Sequence, residues 1–358
     1  MKILIGCLQF THDGGTERYI RDIASGFADL FPDNESVKNI YVLYQKIDKS
    51  LPEISKVTPI RSKTHFLPKK IRNFFFANEI KKTKEQKQIN FSFTCNSLSA
   101  ADILACGFTR RGEAIDRKMP KDFSYITKSW LEQKSFDNSQ LIIAHSKKIK
   151  NELIQYYSQD PDKIKLLYPP VNEMEFYPVT EENRKKLRKK FNFPEDKTIF
   201  VFPSTGHNRK GLKALLKWFS QTDLAVTLYV AGKSIDQRLK NVEYLGYRKD
   251  MADIYRAADF SILNSAYEPF GLVGVESVLC GTPTLQSTNT GCIEVLSDDA
   301  CLKFEPDNLE QIDACIRKAI SLRTNNKARL KTPYSHISYN PALEVHIKEI
   351  FKLSQQLM

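Results

Sequence analysis

The chain has 358 residues, 41% of them hydrophobic and 27% charged, with a formal net charge of +12. That length exceeds one typical core and fits two domains of about 170 residues each. No apolar run approaches the ~18 to 20 residues of a membrane-crossing helix. The opening Met1-Lys-Ile-Leu-Ile-Gly-Cys-Leu8 is too short for a signal peptide. The seven cysteines, an odd number with no Cys-x-x-Cys pair, argue against a disulfide framework or a zinc site, and cytosolic residence follows.

Along the chain, strand and helix signals alternate. Ile3–Leu8 reads as a first buried strand, followed by a glycine turn at Gly14-Gly15. Tyr19, Ile20, Ile23, Ala24, Phe27 and Ala28 then recur at helical spacing. Short apolar runs at 40–44, 91–95, 141–144 and 164–168 have the bounded form of buried strands. Prolines cluster at 169–178, after which the order restarts. Ile199–Pro203 is a strand, Leu212–Phe219 a helix, Val226–Ala231 and Val242–Leu245 strands, Met251–Ala258 a helix and Phe260–Leu263 a strand. Short strands alternating with helices predict parallel sheets covered on both faces, here in two series. The charge is uneven. Residues 1–168 hold 28 Lys+Arg against 19 Asp+Glu, or +9, and the remainder 26 against 23, or +3.

The most informative string is Glu268-Pro-Phe-Gly-Leu-Val-Gly-Val-Glu276, followed by Cys-Gly-Thr-Pro. A strand ending near Ser265 and a helix starting near Gly271 leave backbone N–H groups open at the helix start. Glu268 then lies in the loop and Glu276 more than one turn into the helix. A carboxylate only accepts hydrogen bonds and can hold two vicinal hydroxyls. Two of them beside open amides suit a ligand with several hydroxyls and one anionic group, and a nucleotide sugar has both features. Arg209-Lys210-Gly211 is the second signal. Two cations at a helix N-terminus have the wrong sign for the helix dipole unless an anion sits between them and the amides. Arginine can grip a phosphate bidentately and lysine supplies a compact charge. Gly14-Gly15 lies where open α/β sheets bind ligands, at a strand's carboxyl end.

The stretch from Val242-Glu-Tyr-Leu-Gly-Tyr to Gly291, with its glutamates eight positions apart, resembles the donor-binding half of the retaining GT-B glycosyltransferases, glycosyltransferase family four. Gly14-Gly-Thr-Glu-Arg18, Arg209-Lys-Gly211 and the passage Lys163–Pro178 extend the resemblance over most of the chain. The Arg-Lys-Gly form is similar to that of bacterial lipopolysaccharide-core glucosyltransferases. The resemblance implies an α/β GT-B fold of two doubly wound, Rossmann-like domains facing a central cleft. Residues 1–168 would form the acceptor-side domain and 169–340 the nucleotide-sugar-binding domain, with a last helix at 341–358 crossing back to the first. It further implies that Lys210, with Arg209, contacts the donor diphosphate and that the Gly14-Gly15 loop faces it. By the same resemblance Glu276 holds the ribose, Glu268 with the amides of Phe270, Gly271 and Leu272 holds the transferred sugar, and Tyr247 and Arg248 meet the base, largely through backbone. Many members place a further arginine where this chain has Pro203-Ser204.

Metal use is tested by Asp160-Pro-Asp162, which precedes Lys163-Ile-Lys-Leu-Leu and reads as turn chemistry; no metal and no cofactor are expected. No His, Ser or Cys trio points to nucleophilic catalysis. His12 and His145 lie near strand ends. The loop Ala105-Cys-Gly-Phe-Thr109, where the family often has a histidine facing the sugar, has none, which leaves Asp102 as a candidate side chain. In the resembling enzymes the acceptor attacks on the face the leaving phosphate departs from, and that phosphate takes the proton.

The segment Leu67–Lys87 has seven basic and two acidic residues around Phe74–Phe76, and a second basic cluster follows at Arg110, Arg111, Arg117, Lys118 and Lys121. These read either as solvated surface or as elements lying on anionic lipid. The expected partners are a nucleotide-sugar donor such as UDP-glucose, a glycan or glycolipid acceptor of anionic character, and the inner face of an anionic membrane. An epimerase or hydrolase on the same architecture, or a non-catalytic polyanion binder, are the alternatives. No nucleic-acid module is recognisable, and the donor-site carboxylates would repel a phosphate backbone.

Overall fold

The computed structural model describes residues 1–12, 14–30, 39–67, 69–96, 101–235 and 238–357, with the side chains at 65, 69–71, 73 and 74 excepted. The chain divides into two units, Met1–Pro170 with Pro341–Met358, and Val171–Asn340.

In the first unit the elements are β1 (Ile3–Phe10), α1 (Gly15–Leu30), β2 (Ile40–Ile47), β3 (Thr58–Arg61), α2 (Lys69–Lys87), β4 (Phe91–Thr94), β5 (Ile103–Cys106), α3 (Arg110–Asp116), α4 (Phe123–Asn138), β6 (Leu141–Ala144), α5 (Lys147–Tyr157) and β7 (Ile164–Leu166). The strands form one sheet in the order β3-β2-β1-β4-β5-β6-β7. Every pairing among them is parallel. Successive strand residues face opposite sides, and β1 uses both. Ile3 and Ile5 join the core under α1, while Leu4 packs with Phe76 and Ile80 of α2. The helical spacing read at Tyr19–Ala28 becomes the buried face of α1. Burying a ring such as Phe27, 5.8 Å edge-to-face from Phe91, is worth about 1.5–3 kcal/mol.

In the second unit α6 (Glu181–Lys190) leads into β8 (Thr198–Ser204), α7 (Leu212–Gln221), β9 (Val226–Gly232), β10 (Val242–Gly246), α8 (Met251–Ala257), β11 (Phe260–Leu263), α9 (Leu272–Leu279), β12 (Thr284–Ser287), β13 (Cys301–Phe304) and α10 (Leu309–Thr324). Its sheet runs β10-β9-β8-β11-β12-β13. Both sheets therefore follow the doubly wound order, and each reverses direction once, between β1 and β4 or between β8 and β11. Open α/β sheets bind ligands in the crevice at such a reversal. The core is fixed by Phe200, Phe202, Leu215, Phe219 and Ile262. Asp259 is anchored beneath it by Arg184 and Arg188 at 2.6 and 3.2 Å and by the Ile199 N–H at 2.8 Å.

The last helix, α11 (Leu343–Gln355), belongs to the first unit, where Ile347 and Ile350 enter the core beside α1; Met358 lies outside the described residues. Its His346 Nε2 is 2.8 Å from the Tyr19 hydroxyl, and the Tyr19 ring meets His145 edge-on at 4.8 Å. Burial pushes His145 down to about 4. Burial, then the neighbouring His145, push His346 down to about 3. Both imidazoles are neutral in the folded chain near pH 6 and protonate more readily when unfolded. Their contribution is therefore present above the ordinary histidine value of 6.5 and is lost as pH falls toward the folded values. Stability is expected to drop between pH 6.5 and 5 by up to about 1.4 kcal/mol per pH unit per histidine. Urea unfolding at stepped pH checks this. His346→Gln, which keeps a group able to bond Tyr19 but cannot titrate, should flatten the curve, and an unchanged slope would refute the assignment.

Candidate active site

Two loops leave the carboxyl ends of β8 and β11, which lie side by side at the reversal of the second sheet. The first carries Arg209, Lys210 and Gly211 into α7, and the second carries Glu268, Phe270 and Gly271 into α9. Each helix begins at a glycine in the left-handed region, Gly211 at φ +70° and Gly271 at φ +86°. Glycine is required at both places. A Cβ on Gly211 would lie 1.9 Å from the Asn264 carbonyl oxygen, and one on Gly271 would lie 2.7 Å from Thr290 Cγ2. A glycine cap supplies no side-chain acceptor to the first turn of either helix. The Leu212 N–H of α7 donates instead to the His207 carbonyl at 3.1 Å and the Gly274 N–H of α9 to the Gly271 carbonyl at 3.0 Å, and the positive end of each helix faces an anion or a polar ligand.

The loops are pinned to each other. The Ala266 N–H donates to the Arg209 carbonyl at 2.9 Å. Asn264 Nδ2 donates to the Gly211 carbonyl at 3.0 Å and to Asp307 at 2.7 Å, and Asn289 Nδ2 donates to the Ala266 carbonyl at 2.9 Å. Gly291 N–H donates to the Glu268 carbonyl at 2.9 Å. Asn264 and Asn289 were not singled out by their surroundings in sequence. Their one signal is a polar side chain just past a buried strand, Asn264 directly after β11 and Asn289 two residues after β12.

Arg209 Nη1 donates to Glu268 Oε2 at 2.8 Å and to the Tyr267 carbonyl at 2.9 Å. The arginine thus orients the glutamate as well as standing at the helix start. Lys210 is partly exposed as a residue, but its ammonium turns inward and donates to the Pro203 carbonyl at 3.1 Å. Burial pushes that ammonium below the ordinary lysine range, Arg209 adds to the depression, and the carboxylates of Glu268 and Glu276 pull it back. Arg209, Lys210, Glu268 and Glu276 therefore form one electrostatic group around the helix starts. Phe270 is buried edge-on to Tyr339 at 6.1 Å, and Leu272 is the first residue of α9. What Phe270 and Gly271 offer a ligand is backbone.

Tyr247 and Arg248 stand apart from this group, beyond β10 at the sheet edge. Tyr247 is 68% exposed. Arg248 is committed to Asp250 at 2.8 and 2.6 Å, and its guanidinium lies over the Phe191 ring at 5.4 Å. Gly14 and Gly15 belong to the first unit, where they follow β1 at that sheet's own reversal; Gly14 has φ +92°.

Three further sequence candidates resolve into structure. Asp160 caps a short turn by accepting from the Asp162 N–H at 2.9 Å. Asp102 is consumed by Lys84 at 2.7 and 2.6 Å, by the Ser92 N–H at 2.7 Å and by Gln140 at 3.0 Å. That corrects its reading as a candidate catalyst, since a carboxylate so enclosed is a structural anchor. The loop after β5 has no histidine of its own, yet His145, from the end of neighbouring β6, sits with Nδ1 3.1 Å from where a Gly107 Cβ would be. Only strand pairing reveals that approach. Among the described residues no group of three or more His, Cys, Asp or Glu could hold a metal ion.

The description "Glycosyl transferases group 1" fits residues 183–333, within the second unit. A probable transglycosylase of Burkholderia thailandensis is 34% identical over 361 aligned residues, which cover 99% of this chain and 97% of that protein. Mannosylfructose-phosphate synthase of Agrobacterium fabrum is 28% identical over 45% of this chain and 40% of its own length. Among solved structures, WaaG, a glycosyltransferase involved in lipopolysaccharide biosynthesis, superposes with a TM-score of 0.81 at 16% identity, covering 98% of this chain and 99% of its own. HepE of Anabaena, crystallised with UDP and glucose, gives 0.76 at 17% identity over 99% of each chain. At such identities these two structures bear on the fold alone. Two doubly wound parallel sheets, that fold match and the full-length kinship establish that the chain belongs to the group 1 glycosyl transferases, on a GT-B fold.

Proposed function

We propose that the chain transfers a hexose from a nucleotide diphosphate sugar, UDP-glucose or a related UDP-sugar, to an anionic, lipid-linked bacterial glycan such as lipopolysaccharide core. It would work in the cytoplasm on the inner face of the membrane, with retention of the anomer and without metal. The observation that carries the reading is the pairing of Arg209 and Lys210 with Glu268 and Glu276 at two glycine-capped helix starts across the sheet reversal. Cations at a helix N-terminus suit a diphosphate, and carboxylates suit sugar hydroxyls. HepE, on the same fold, has been crystallised with UDP-glucose, which favours that donor.

In this reading Lys210 and the amides of α7 neutralise the diphosphate, with Arg209 joining them while it holds Glu268 in place. Glu276 takes the ribose hydroxyls. Glu268, with the amides of Phe270, Gly271 and Leu272, takes the transferred sugar. Tyr247 and Arg248 meet the base through backbone. The bond from the anomeric carbon to the phosphate oxygen breaks as that carbon bonds the acceptor oxygen on the same face. The acceptor's proton passes to the departing phosphate. Such a step needs positioning and charge stabilisation more than a protein base.

Transfer should keep the donor's anomeric configuration and survive EDTA. NMR of the early product reports the anomer directly. An inverted product, or activity lost to EDTA and restored by manganese, would overturn this mechanism, and donor turnover that is indifferent to acceptor would point to a hydrolase or epimerase.

A further inference from the structure

The first half of α4 projects away from its own core. Of residues 118–128 all are exposed except Tyr125, and burial resumes only at Ser129. Phe123, Ile126 and Trp130 recur at i, i+3 and i+7, one face of a helix, and are 84%, 58% and 48% exposed. Ile115 and Met119, from α3 and the turn after it, are exposed beside them in sequence. The helix is nonetheless well held. Asp122 caps it by accepting from the Tyr125 N–H at 2.7 Å. Further along, Glu132 accepts from the Tyr157 hydroxyl and from the Arg110 N–H at 2.9 Å.

The charges around this face are sorted by sign. Arg117 pairs with Glu113 at 2.5 Å and Lys148 with Asp116 at 2.5 Å. Arg111 lies over the Tyr157 ring at 4.3 Å. These contacts absorb the acidic residues of α3, Glu113 and Asp116, and occupy Arg111 and Arg117. Left exposed from 118 to 134 are Lys118, Lys121, Lys128 and Lys134 against Asp122, itself the helix cap. The other basic segment is built differently. In α2, Phe76 and Ile80 are buried and Lys84 is spent on Asp102 at 2.6 Å, which leaves Phe75 as the exposed ring among its described side chains.

We propose that the α4 face of Phe123, Ile126 and Trp130, ringed by Lys118, Lys121 and Lys128, docks on an anionic lipid bilayer. Apolar side chains on a rigid protruding helix, with lysines and almost no exposed carboxylates around them, match the interfacial position: rings among the acyl chains, ammonium groups at the lipid phosphates. This deepens the reading above, from which it takes only the lipid-linked acceptor, and its test uses no donor sugar.

The full chain is sedimented with vesicles of pure phosphatidylcholine or of phosphatidylcholine with phosphatidylglycerol. Binding should require the anionic lipid, and the emission of Trp130 should shift to the blue. The second tryptophan, Trp218, is buried and bonded to Asp313 at 3.1 Å, so Trp130→Phe should abolish the shift. Changing Lys118, Lys121 and Lys128 together to Gln should weaken binding roughly 10²-fold. Phe123→Ser with Ile126→Ser should cost about 10-fold or more and remove the salt-resistant part. Lys81, Lys82 and Lys87 changed together to Gln, an equal loss of charge on α2, should cost much less. Circular dichroism shows whether each variant is folded, and the wild-type emission shift needs no variant. The proposal fails if neutral and anionic vesicles bind alike, if the α2 variant loses as much as the α4 variant, or if Trp130 emission stays fixed. It also fails if the wild type self-associates through this face, forming a dimer that Phe123→Ser with Ile126→Ser dissolves.

Discussion

Lys210→Ala is expected to lower turnover by ~10² to 10³-fold, as removal of one preorganised charge from a developing oxyanion does. The ammonium sits at the start of α7, within the field of Glu268 and Glu276, and burial already disfavours its charged form. A diphosphate drawn into the same pocket would favour that charged form, and the lysine would interact most strongly when the phosphate leaves. The fold should tolerate the change, because the ammonium's hydrogen bond goes to a single carbonyl, that of Pro203 at 3.1 Å, worth about 1 kcal/mol. Steady-state kinetics beside a thermal melt separate the two effects. Wild-type kcat in a folded Lys210→Ala protein would remove this lysine from the mechanism.

The two glutamates should fail differently. Glu276→Ala is expected to weaken free UDP and UDP-sugar alike, by about 10 to 10²-fold, since hydrogen bonds to a charged group are worth about 1.5–3 kcal/mol. Glu268→Ala should spare free UDP and instead cost ~10²-fold in transfer. It removes the partner that holds Arg209 at 2.8 Å along with the acceptor for the sugar hydroxyls. Calorimetry with UDP and with UDP-glucose, followed by transfer assays on both variants, gives the comparison. Normal transfer by Glu268→Ala, or equal loss of UDP affinity in both variants, would break the division of roles.

Much of this was legible in one dimension because local periodicity reports burial. The run Ile3–Leu8, the helical spacing of Tyr19–Ala28 and the short apolar strands of the second half each became the predicted element. A strand or helix of a doubly wound sheet must bury its apolar residues at a period set by its own backbone. The glutamates eight apart lie on one loop and one helix, so their placement is also a local matter.

Contacts between distant segments were decided only by the tertiary structure. That β8 and β11 are neighbours, which brings Arg209 to Glu268 across 59 positions, follows from strand order, and strand order is set by how whole helices pack on a sheet. The same reason separates Phe75 from Phe76, adjacent residues that one helix turns outward and inward, and makes Asp102 an anchor once Lys84, Ser92 and Gln140 converge on it. The open face of α4 belongs with these. A stripe at Phe123, Ile126 and Trp130 looks in sequence like any core-facing helix, and only the absence of a packed neighbour among the described residues over 123 and 126 turns it into a surface.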